Sequence, residues 1–247
     1  MTHLPIHLRS STMLLVIALL FSGCAGESTE SAEETAMAEA EDEMATETAE
    51  SHPTALLYIA HTVAEFEPWL AAYEANEPVR SEHGLSEAWV YRNLDQPNLV
   101  HVLLRADDVE TARHFMEMEE LKTAMKEAGV TGEPTLELLT PVHGTQPETL
   151  PQSRHHVLVA HEIADWDQWK PVFDAHQEAR IAAGLTLRGI ARGVDNPNMI
   201  YLSFAASDLD AAREFGASED LKSTMESAGV VGEPRVVFAE TARPDVM

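Results

Sequence analysis

The sequence predicts an α+β fold: two βαββαβ repeats in one chain, packed sheet to sheet. Three observations carry this expectation. Leu56–His143 aligns with His156–Arg243 at a constant offset of 100 residues, without gaps and with about 27 identities in some 88 columns. Chance would leave only a handful, so the chain holds a duplicated domain. Within each copy, short apolar runs alternate with helical periodicity in the order βαββαβ. And "AGVTGEP" at Ala128–Pro134 recurs as "AGVVGEP" at Ala228–Pro234, closing a helix and opening a strand each time.

The elements follow in order. "ALLYIAH" and "HVLVAH" suit first strands that end in His61 and His161. Helical spacing covers Glu65–His83 and Asp165–Ala183, marked by Phe66, Trp69 and Tyr73 in one copy and Trp166, Trp169 and Phe173 in the other. Gly84 and Gly184 supply left-handed stops; Pro68 and Pro78 interrupt the first copy's helix. Two strands come next, joined by "DQPN" and "DNPN", whose Pro and Asn fit a tight turn. Asp108 and Asp208 cap a second helix running to Gly129 and Gly229. Pro134 and Pro234 then open the last strand.

Such a unit is the ferredoxin-like split motif, an antiparallel sheet with both helices on one face. Its other face is bare. These strands carry few charges on either parity, with Val100, Val102 and Leu104 on one side and Leu99, His101 and Leu103 on the other, so both faces want cover. Packing the two sheets together supplies it, as an intrachain pseudo-dimeric α+β barrel and a compact monomer with an internal pseudo-twofold. The copies differ where Trp89 and Tyr91 stand opposite Gly189 and Ala191. Either the first copy's rings fill the second copy's space, or the second keeps a cavity.

Charge excludes one class of partner. The chain of 247 residues has a formal net charge of −26, and a nucleic-acid binder needs a basic face. Glu27–Glu50 holds ten acidic residues and no base. Such a segment buries too little apolar area to offset chain entropy and reads as a self-repelling tether. Ahead of it, Arg9 precedes a short apolar run, Met13–Phe21, ending in "FSGC". The run is too short to span a bilayer and matches a secretory signal. The expected organisation is a signal peptide over 1–23, an acidic tether over 24–53, repeats over 54–143 and 155–243, a linker over 144–154 and a tail over 244–247.

Two resemblances follow from these residues. Cys24 after "SG" resembles a bacterial lipobox, which implies a lipidated Cys24 holding the protein at the cell envelope. Ala25 after it leans toward the outer membrane, facing the periplasm. The stretches "DWDQWKPVFDAHQEARIAAGL", "GVDNPNMIYLSF" and "DLDAAREFGASEDLKSTMESAGVVGEP" resemble the dimeric α+β barrel superfamily, and most of all its antibiotic-biosynthesis-monooxygenase-like or "cyclase" branch. That resemblance implies chemistry without metal or flavin, using Asn, Trp, His or Arg around an aromatic substrate.

The residues themselves supply candidates. Positions 69, 73, 76 and 80 share one helix face, because eleven residues are close to three turns. Trp69, Tyr73, Asn76 and Arg80 stand there in the first copy and Trp169, Phe173, His176 and Arg180 in the second. A ligand clamp or a structural ion pair would each account for an arginine at the end of an aromatic stripe. His61 and His161 are rim residues or bases in a cleft. His161, His176 and Arg180 form the catalytic candidate set; Trp169, Phe173, Arg192, His61, Trp69, Tyr73, Asn76 and Arg80 are the ligand-binding candidates. No phosphate loop, nucleophile elbow or metal-ligand spacing stands out, so no cofactor or metal is expected. The leading expectation is a binding module for a small, partly apolar, anionic or aromatic molecule. A cofactor-independent oxygenase or cyclase is the alternative, and a purely structural envelope role the third.

Overall fold

The computed structural model describes residues 55–144 and 153–243. Cys24, the apolar run and the acidic segment lie outside the described residues. The first repeat runs β1 (Ala55–Val63), α1 (Phe66–Ala75), α2 (Glu77–Glu82), β2 (Leu85–Asn93), β3 (Leu99–Ala106), α3 (Val109–Glu117), α4 (Glu119–Glu127) and β4 (Val130–Gly144). The second repeats this order as β5 (His155–Ile163), α5 (Trp166–Ala175), α6 (Gln177–Ala182), β6 (Leu185–Gly193), β7 (Met199–Ala206), α7 (Leu209–Gly216), α8 (Glu219–Ser227) and β8 (Val230–Thr241).

Each expected helix is in fact two. The first breaks at Asn76 and His176, both near φ −90° and outside the helical region. Prolines do not cause this. Pro78 falls in the first turn of α2, where a missing N–H costs nothing, and the second copy breaks at the same column without it. The second helix breaks at Met118 and Ser218, both extended. Asp108 and Asp208 cap as expected, accepting from the backbone N–H of Thr111 and Ala211.

The "GxxGEP" repeat has a more specific job than strand entry. Gly129 and Gly229 take positive φ and end α4 and α8. Gly132 and Gly232, also at positive φ, begin a bulge: β8 pairs Val231 with Glu162 and next Arg235 with Ala160, leaving Gly232, Glu233 and Pro234 out of register. Proline tolerates that place because a bulged residue donates no ladder hydrogen bond. The strand is already formed at Val130 and Val230, so Pro134 and Pro234 lie inside it rather than at its start.

The eight strands close into one barrel in the order β1-β3-β2-β8-β5-β7-β6-β4. Each repeat is a four-stranded antiparallel sheet, and the long last strand of each pairs with the second strand of the other. Thr241 lies opposite Tyr91, and Thr140 opposite Arg192. No edge remains open, which removes the aggregation hazard of a bare sheet. Reciprocal ion pairs mark the pseudo-twofold: Arg113 to Asp195 at 2.8 Å and Arg213 to Asp95 at 2.7 Å. Among the described residues the apolar core divides between the helix-covered faces and the space between the sheets. One cluster lies beneath each repeat's helices, around Trp69 and Trp169. Between the sheets Tyr58, Leu103 and Leu139 meet Ala191, and a further cluster joins Tyr91 to Leu158, Val237 and Ala239.

Candidate functional site

The sequence-predicted stripes assemble as stacked columns. Trp169 lies 4.7 Å from Phe173, ring centre to ring centre and at 20°, and the Arg180 guanidinium sits 3.8 Å from the Phe173 ring. The first repeat has the same column in Trp69, Tyr73 and Arg80. Both arginines are buried, and neither is the partner of a buried carboxylate. Instead Arg180 Nη1 donates to the Phe173 carbonyl at 2.6 Å, and Arg80 Nη1 to the Tyr73 carbonyl at 2.7 Å. The helix break frees these carbonyls, and a guanidinium seven residues on caps them.

His161 and His61 are not rim residues. Both are 5% exposed, and neither ring nitrogen of either has a hydrogen-bond partner. Each projects from its strand beside the bulge onto the tryptophan that both repeats share, His161 at 5.7 Å from Trp169 and His61 at 5.5 Å from Trp69. Burial lowers both to about 4, so both imidazoles are neutral near pH 7. A neutral imidazole offers one N–H donor and one lone pair. Leaving both unmet costs about 1–3 kcal/mol per group.

Here the repeats diverge. His161, Trp169, Phe173, His176 and Arg180 line a single cavity of about 560 Å³ between helices and sheet. The equivalent space in the first repeat, lined by His61, Trp69, Tyr73, Asn76 and Arg80, is about 70 Å³. The cause is not the Trp89/Gly189 column, which faces the barrel interior. It is the second helix break: "MEM" at 116–118 becomes "GAS" at 216–218. Met116 and Met118 pack into the first core, whereas Gly216 and Ser218 border the open cavity. Ser218 points its hydroxyl to the backbone instead, capping α8.

His176 occupies the first break. Its Nε2 lies 2.9 Å from Asp220 Oδ2 on α8, and its ring stacks 5.7 Å from Phe215. Asp220 escaped the sequence reading because nothing local distinguishes it from the other acids of its helix. Asn76, the counterpart of His176, donates its amide to the Ala72 carbonyl. Arg192 is placed elsewhere: it lies outside the cavity lining, holds the Pro197 carbonyl at 2.6 Å and covers Trp166. Its role is to pin the β6–β7 turn. Among the described residues no group of three His, Cys, Asp or Glu side chains gathers as metal ligands would, and no helix is long and apolar enough to cross a membrane.

No protein-family model matches the chain, and no curated protein does. Solved structures do. An anthrone oxidase-like protein superposes with a TM-score of 0.56 at 12% identity, over 77% of this chain and 92% of its own. A protein named as a proposed chlorite dismutase gives 0.53 at 11%, over 76% and 95%. One from Lactobacillus acidophilus, named as a proposed monooxygenase, gives 0.50 at 15%, over 76% and 94%. At these identities the likeness is one of fold: the dimeric α+β barrel, here made by one chain.

Proposed function

We propose that the second repeat's helix–sheet cavity binds a flat, largely apolar molecule carrying a carbonyl, phenol or carboxylate oxygen. The observation that carries this is the cavity itself, walled by Trp169, Phe173 and His176, at about 560 Å³ in one repeat against about 70 Å³ in the other. The larger size lies within the usual range for small-molecule sites. His176 supplies a polar group at the wall for the guest's oxygen, and Trp169 and Phe173 present the wall for an aromatic body. Anthrone, titrated by quenching of tryptophan fluorescence, is the first probe. Wild-type protein is expected to bind it, and Gly216→Met, which restores the first repeat's Met at an open position, to lose binding. Equal binding by both proteins contradicts the reading.

A second reading, a cofactor-independent oxygenase, is favoured by the His176–Asp220 hydrogen bond, which orients an imidazole as an acceptor at the cavity wall. His176 would take a proton from the activated carbon of an anthrone-like substrate. The resulting anion reduces O2, and loss of water leaves the quinone: anthrone and O2 give anthraquinone and H2O. Oxygen uptake that stops in His176→Ala supports this reading; binding without uptake leaves a carrier.

The envelope location rests on the sequence alone and belongs to the same proposal. Cys24 as a lipid-bearing residue would hold the barrel at a membrane, and multiple acyl chains are what stable anchoring needs. Cys24→Ser is expected to move the protein to the soluble fraction; unchanged fractionation removes the anchor.

A further inference from the structure

The barrel interior holds a second cavity, of about 540 Å³, distinct from the helix–sheet site. Most of its residues come from the sheet faces that point away from the helices, and both repeats contribute. The strand register groups them: Leu56 and Tyr58 lie opposite Arg105 and Leu103, while Leu158 and Ala160 lie opposite Ser203 and Tyr201.

The two sides of each sheet have diverged differently since duplication. Beneath the helices the repeats keep apolar pairs, such as Leu57/Val157, Val102/Leu202 and Val90/Ile190. Facing the barrel interior, polarity and size change at column after column: Tyr58/Leu158, Ala88/Arg188, Trp89/Gly189, Leu103/Ser203, Arg105/Ala205 and Thr135/Arg235. A face kept only as an apolar seal would keep apolar pairs on both sides. This one has acquired polar groups singly, from one repeat or the other, so no symmetric dimer of either copy would reproduce it.

Charge gives the class of guest. Arg105, Arg188 and Arg235 all line the cavity, and no Asp or Glu does, in a chain with 42 acidic residues and 16 Lys and Arg. Arg235 is matched by Glu137 at 3.0 Å. Arg105 donates to the Glu87 carbonyl at 2.7 Å, which leaves its charge unopposed by that contact. Arg188 has no hydrogen bond or ion pair among the described residues, and it is only half-buried. Leu139, Leu158 and Ala191 give apolar wall near the gap left at Gly189, and Tyr58, Tyr201 and Ser203 add neutral polar groups. Tyr91 stacks on His156 at 4.3 Å and does not line the cavity.

We propose that this interior cavity is a binding site for an amphipathic organic anion, with a carboxylate or sulfonate at Arg188 and Arg105 and an apolar body between the two sheets. The assignment does not depend on the function given to the helix–sheet cavity. A guanidinium fork recognises such oxyanions with paired hydrogen bonds.

Two fluorescent probes of nearly the same shape test it on the full chain: anilinonaphthalene sulfonate and its uncharged parent amine. The sulfonate is expected to bind at one barrel site per chain. Arg188→Gln should weaken the sulfonate about tenfold or more, the loss of one charged hydrogen bond, and leave the amine unchanged. Gly189→Trp, which installs the first repeat's residue where a Cβ meets only ordinary contacts, should abolish both. Gly216→Met, which closes the other cavity, should leave sulfonate affinity intact. Three results overturn the proposal: no binding by wild type, equal loss of sulfonate and amine in Arg188→Gln, or loss in Gly216→Met with none in Arg188→Gln. If Gly189→Trp does not fold, the charge-selective loss in Arg188→Gln decides alone.

Discussion

Arg180 donates to the carbonyl of Phe173 at 2.6 Å and lies over that residue's own ring at 3.8 Å. One side chain thus seals a broken helix and ends an aromatic column. The relationship recurs at Arg80 and Tyr73, in the repeat whose cavity is closed. A contact present with and without a cavity is a fold device first. Arg180→Ala is therefore expected to cost about 2–4 kcal/mol, combining a charged hydrogen bond with a stacked cation. Arg80→Ala should cost a similar amount. Urea unfolding measures both, and an unchanged midpoint in Arg180→Ala would assign the guanidinium to ligand binding alone.

His61 links the same architecture to pH. Its folded-state pKa is about 4 against an ordinary 6.5, and burial alone is the cause. The unfolded chain binds the proton more readily. The stability this histidine contributes is fully present above about pH 6.5 and is lost as pH falls toward 4. The slope is about 1.4 kcal/mol per pH unit for each such group. His101, His156 and His161 are lowered to about 4 as well, chiefly by burial, so acid should unfold the barrel across this window. His61→Phe is expected to flatten the slope by about one proton's worth, read from urea midpoints at several pH values. A parallel curve would mean that His61 is not buried neutral.

The closed strand order makes an assembly prediction. With β2 paired to β8 and β4 to β6 inside one chain, residues 51–247 should scatter light as a monomer. Asp95→Asn with Asp195→Asn should leave that state unchanged and cost at most about 1–2 kcal/mol, because both reciprocal pairs are exposed. A dimer at micromolar concentration would indicate exchange of repeats between chains.

Much of this was legible in the sequence, and the omissions have physical reasons. The offset of 100 identified the two sheets, and the glycines at 84, 129, 184 and 229 ended helices because they alone tolerate positive φ. The 3.6-residue period placed Trp169, Phe173 and Arg180 on one face. Closure through β2–β8 and β4–β6 was not legible, since edge pairing between repeats leaves no local pattern. Nor was the break at His176, whose carbonyls are satisfied by an arginine further along. Gly189 and Ala191 left a choice between filled space and a cavity, and they line the open barrel interior. The helix–sheet cavity of the second copy, bordered by Gly216 and Ser218, was not foreseen from those residues. Large-to-small changes at a helix break read as loop variation until packing shows what Met116 and Met118 fill. The barrel's polar interior escaped notice because alternation within one strand does not reveal which faces meet.

On the proposed function, the second repeat's helix–sheet cavity holds a small molecule that its twin cannot admit. Native mass spectrometry of protein purified gently from the cells that make it tests this most directly, comparing wild type with Gly216→Met. A discrete added mass is expected on the wild-type chain and not on the variant, with thermal unfolding showing both folded. The same added mass on both proteins would contradict it.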